Sequence, residues 1–106
     1  MSKVRVVDTV YTIVHRVGVK DDDGNPAHGT CHPERCEIAI EANAAPARKT
    51  WTKTHELAHA VWQETGMGPE MAAACGAEKA DLLEEDIIRR FVPALIRTLR
   101  DARVIR

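Results

Sequence analysis

The run Thr54-His55-Glu56-Leu57-Ala58-His59-Ala60-Val61-Trp62 arranges two imidazoles and a carboxylate as H-E-x-x-H. Four residues make close to one helical turn, so on a helix His55 and His59 stand one above the other on a single face. Two imidazoles held that way can grip one Zn²⁺, with Zn–N distances of about 2.0–2.1 Å. Glu56 is one position round from His55, too offset to be a third ligand from the same helix. It can still reach a water on the open side of the metal and take its proton. The competing reading is a pair of core histidines satisfied by backbone carbonyls. Leu57, Ala58, Ala60, Val61 and Trp62 make the helix apolar on several faces, and buried imidazoles there need partners. Metal binding is the stronger reading.

A catalytic zinc takes three protein ligands and keeps one position for water or substrate. No histidine follows His59, which excludes H-E-x-x-H-x-x-G-x-x-H. His15, His28 and His32 lie upstream, on expected strand or loop. Carboxylates of the C-terminal helix are better placed, because its apolar stripe must pack on something and the metal helix is the obvious neighbour. Glu84 and Glu85 are the candidates. Asp81-Leu82-Leu83-Glu84 fits a capping-box-like start, which gives Glu84 a structural task. Glu85 has Ile88 and Val92 at i+3 and i+7, while Glu84 has Ile87, Ile88 and Phe91. Periodicity leaves both open and Glu85 is preferred.

These residues must be carried by one small domain of 106 residues. Its 44% hydrophobic and 29% charged residues are ordinary for a globular chain. A net charge of −1 makes no case for nucleic acid or an anionic membrane as partner. No apolar run is long enough to span a bilayer, and the opening residues alternate charges with valines, so a cytoplasmic protein is expected. Cys31, Cys36 and Cys75 are an odd number, for which reduced thiols are favoured. Cys31-His32-Pro33-Glu34-Arg35-Cys36 is a weak second metal motif; the two thiols are expected to flank a turn.

Residues 3–17 are rich in Val, Ile, Thr and Tyr and suit strand, with a change of phase that asks for a bulge or short break near Asp8. Lys20 to Pro26 reads as a solvated turn; its Asp triplet lacks the spacing of a Ca²⁺ loop. A short strand begins at Gly29. Cys36 to Glu41 alternates as a half-exposed antiparallel strand of the kind that suits a sheet edge. Pro46 suits the first turn of a helix reaching about Thr65, which Gly66-Met67-Gly68-Pro69 stops. A short helical piece is expected over 70–75. The last helix is expected over 81–101, with acids at its start, Arg97, Arg100 and Arg103 at its end, and a bend at Pro93. The fold class is therefore α+β, a small mostly antiparallel sheet packed on a metal-binding helix and a long C-terminal helix.

The succession of strand, G-x-C-x-x-x-x-C-E-I-A-I, Thr54-His55-Glu56-Leu57-Ala58-His59-Ala60 and Glu84-Glu85-Asp86-Ile87-Ile88 resembles the minimal gluzincin-type metallopeptidases, especially small zincins of bacteriophages and prophages. The run Glu85…Phe91-Val92-Pro93-Ala94-Leu95-Ile96 is similar to the third-ligand helix of the ImmA/IrrE-like peptidases. That resemblance implies a minimal zincin in which His55, His59 and Glu85 bind Zn²⁺, Glu56 is the general base, and a peptide or protein is the substrate. Two departures stand out: the chain opens on strand rather than helix, and Arg89 stands where that family often has an Asn. The alternative expectation is a non-catalytic module, zinc-stabilised or phage-encoded, that binds another protein.

Overall fold

A computed structural model describes residues 1–106. The chain divides into two units, Met1–Thr65 and Gly66–Arg106. The first holds a four-stranded mixed sheet and one long helix; the second is helical. The architecture is α+β.

Strands β1 (Ser2–Val6) and β2 (Thr9–Arg16) form an antiparallel hairpin in which Val6 pairs with Thr9. The phase change near Asp8 is thus a two-residue turn that reverses the chain. Val7 turns it with φ of 57°, a conformation that β-branched residues seldom adopt. Strand β3 (Gly29–His32) runs through a 3₁₀ turn at Pro33–Arg35 into β4 (Glu37–Glu41). Cys36 lies just before β4, in the left-handed region with φ of 50°. Cys31 and Cys36 flank the turn, as expected.

The sheet order β1-β2-β4-β3 corrects the expectation for the Cys36–Glu41 segment. β4 is an inner strand, parallel to β2 and antiparallel to β3, not a half-exposed edge. Ile38, Ala39 and Ile40 are all buried. The flanking acids that suggested an exposed face are used at the strand's two ends. Glu37 accepts two hydrogen bonds from the Arg16 guanidinium, at 2.8 and 3.0 Å. Glu41 accepts from the backbone N–H groups of Gly18, Val19 and Asn43. The Lys20–Pro26 loop is the solvated turn expected, closed by Asp21 Oδ1 accepting from the N–H groups of Asp23 and Asn25.

Helix α1 (Pro46–Glu64) begins at Pro46, whose missing N–H would have had no intrahelical partner. It packs on β1, β3 and β4. Val6, Tyr11, Ile13, Ile38, Ile40 and Ala60 form the core between sheet and helix, with Val4, Cys31, Cys36 and Leu57 at its margin.

In the second unit, Gly66 breaks the chain with φ of 76°, and α2 (Met67–Cys75) starts at once. Gly68-Pro69 therefore lies in the first turn of a helix rather than ending one. Helix α3 (Ala77–Asp86) starts four residues earlier than expected, after Gly76. Asp81 is inside this helix, so the proposed Asp81–Glu84 cap does not exist. The helical path continues through a π turn at Ile87–Phe91 into α4 (Val92–Asp101). Pro93 does not end the helix, as its apolar stripe suggested. The wider turn before it, in which the Val92 N–H bonds the Ile87 carbonyl, makes room for a ring that would press on the carbonyl four residues back. No helix is long and apolar enough to cross a membrane.

Candidate metal centre

The His55 and His59 side chains converge, with Nε2 atoms 3.3 Å apart. Two imidazole nitrogens on a tetrahedral zinc, each at about 2.0–2.1 Å, must stand about 3.3–3.4 Å apart. The spacing fits. The ring centroids are 4.9 Å apart with planes inclined by 73°, so the rings meet edge-on and not by stacking. A nitrogen–nitrogen hydrogen bond is the other arrangement such a pair can hold, and it depends on the tautomers.

What aims these rings is the seating of α1. At its C-terminal end the Glu64 carboxylate accepts from Thr9 Oγ1 at 2.6 Å and from the Tyr11 hydroxyl at 2.9 Å. These bonds, Thr9's first, hold the Glu64 carboxyl below its ordinary pKa. Burial, reinforced by the Glu64 bond, pushes the Tyr11 phenol well above its usual range. In mid-helix α1 lies close against the sheet at Gly29. A Cβ there would stand 2.5 Å from Thr52 Cγ2, 3.0 Å from the Ala39 carbonyl oxygen and 3.3 Å from Glu56 Cγ. Only glycine lets α1 lie this close to β3. Thr52 and Glu56, one turn apart, are both buried on that side. Glu56 is therefore fixed against β3 while the adjacent His55 turns toward His59.

Outside the first turn of the motif, Trp51 stacks on His55, with centroids 5.0 Å apart and planes 16° apart. The Arg48 guanidinium lies over the Trp51 ring at 5.5 Å.

Glu84 and Glu85 lie in the last turn of α3, both partly buried. Glu85 pairs with Arg89 one turn on, at 3.2 Å. Arg89 thus pairs with the residue expected to be the third ligand. The other histidines are apart from the motif in role. His15 is exposed on β2, the His28 carbonyl accepts from the Glu41 N–H, and His32 Nδ1 is 3.5 Å from Glu34. Sequence reading missed Gly29 and Trp51. Gly29 carries no pattern signal, whereas Trp51 four residues before His55 was visible as a helical neighbour.

Comparison with family models, with curated proteins and with solved structures returns no match.

Proposed function

We propose that this chain is a zinc-dependent peptidase in which His55, His59 and Glu85 hold the ion and Glu56 is the general base. The convergence of the two imidazole nitrogens at 3.3 Å carries the reading. Glu85 is the expected third ligand, with Glu84 the alternative. Three protein ligands leave one position for water or substrate.

When bound, zinc supplies the Lewis acidity that polarises the scissile carbonyl and acidifies the attacking water. Glu56, buried against β3, takes the proton of that water and returns it to the leaving amine. Because β4 is internal, an extended peptide substrate is expected along β3 instead, the edge strand against which Glu56 lies. An extended peptide would add to Gly29–His32 by main-chain hydrogen bonds.

Elemental analysis of protein purified without added metal should find close to one equivalent of zinc. A value far below one would favour an interaction protein without metal. Glu56→Gln should keep the zinc and cut hydrolysis of a mixed peptide library about 10²–10⁴-fold. Equal behaviour of wild type and Glu56→Gln, both inert but zinc-loaded, would identify the metal as a staple for a binding module.

A further inference from the structure

The geometry points to Trp51 as a positioning residue for the metal site, holding the His55 imidazole at the angle from which it meets His59. This rests on the zinc reading above and extends it to a residue outside the H-E-x-x-H motif. Arg48, Trp51, His55 and His59 follow one another at spacings of three, four and four residues, so they form one row along α1. Each neighbouring pair is in contact: guanidinium over indole, indole stacked on imidazole, imidazole edge against imidazole.

The imidazole's remaining freedom is rotation about its χ2 bond, a broad torsion that the helix itself does not fix. A near-parallel indole removes that freedom, because turning the His55 ring would separate the stacked faces. The plane of His55 is then set before a metal arrives, and less ordering is left for binding to impose. The interaction also discriminates between states. An imidazole that has donated its lone pair to a cation is electron-poor and stacks more strongly on an electron-rich indole. Whatever binds the loaded state better raises the affinity for the metal. The Arg48 guanidinium also lies over the indole, 5.5 Å from its centroid, and adds a second contact that holds the ring in place.

A purely structural role for Trp51 does not fit its surroundings. Trp51 is 42% exposed, and it stands outside the core formed around Tyr11 and Ile40. Removing it should leave the fold standing.

The test is Co²⁺ and Zn²⁺ affinity of the full chain, measured against a chromophoric chelator, for wild type, Trp51→Ala and Trp51→Phe. Trp51→Ala should lose about 10- to 100-fold, the range typical of residues that orient a metal ligand. Trp51→Phe, which keeps a stacking face, should recover most of that loss. In the metal-free protein the His55 ring protons should shift downfield in Trp51→Ala as the indole ring current disappears. Wild-type affinity in a folded Trp51→Ala, or a loss that phenylalanine does not restore, would overturn the assignment. A wild type that binds neither ion would instead remove the zinc reading itself, which separates the two failures.

Discussion

At the scale of single residues, the candidate site depends on one missing side chain as much as on those present. Gly29 lets α1 approach β3 beside Glu56, and a methyl there would collide with the Thr52 methyl and with backbone oxygen. Neither neighbour is the loose end of a flexible chain. Gly29→Ala should therefore cost about 1–3 kcal/mol, the usual penalty for overpacking, read as a lower denaturation midpoint. Because Glu56 Cγ is also within 3.3 Å of the added atom, peptide hydrolysis should fall further than metal content. An unaltered midpoint would contradict the close approach. H-E-x-x-H was legible because its chemistry needs those residue types at that spacing. Gly29 was not, since a glycine at a strand's start is also what any loop end would show.

At the scale of elements, legibility followed local punctuation. Helix α1 is bounded by Pro46 and Gly66, both strong signals, and its limits were read nearly to the residue. The Val7-Asp8 turn has neither Gly nor Asn, so the hairpin looked like an interrupted strand. The start of α3 was missed because Ala77-Glu78-Lys79-Ala80 carries no apolar stripe of its own. The place of β4 was beyond local pattern, because parallel pairing with β2 is a long-range choice. That inner position has an energetic consequence. Ile40, fully buried, touches both the paired strands and α1 through the core, and Ile40→Ala should destabilise by about 2–5 kcal/mol. A residue at an exposed edge would lose far less, so chemical denaturation of this variant separates the two placements.

At the scale of the molecule, near-neutral net charge conceals a specific dependence on pH. Glu37, Glu41 and Glu64 all have carboxyls held below the ordinary range. The principal causes are Arg16 for Glu37, the Asn43 N–H for Glu41 and Thr9 for Glu64. A depressed folded-state pKa contributes stability that is present above the unfolded value, about 4.3, and lost as pH falls through the folded one. Melting temperature should thus be insensitive to these acids at neutral pH and drop steeply below about pH 4. Glu64→Gln, which keeps the hydroxyl contacts without the charge, should flatten part of that drop.

The two borders of the sheet are unequal. Lys3 and Arg5 project from β1, whereas Gly29, Thr30, Cys31 and His32 place no lysine, arginine or acid along β3. Charges guard a border against stray pairing, so only the β3 side invites another chain. A second molecule could lend its own strand there as readily as a substrate could. For the peptidase activity proposed above, concentrating the protein should then make each molecule slower, with dilution restoring the rate.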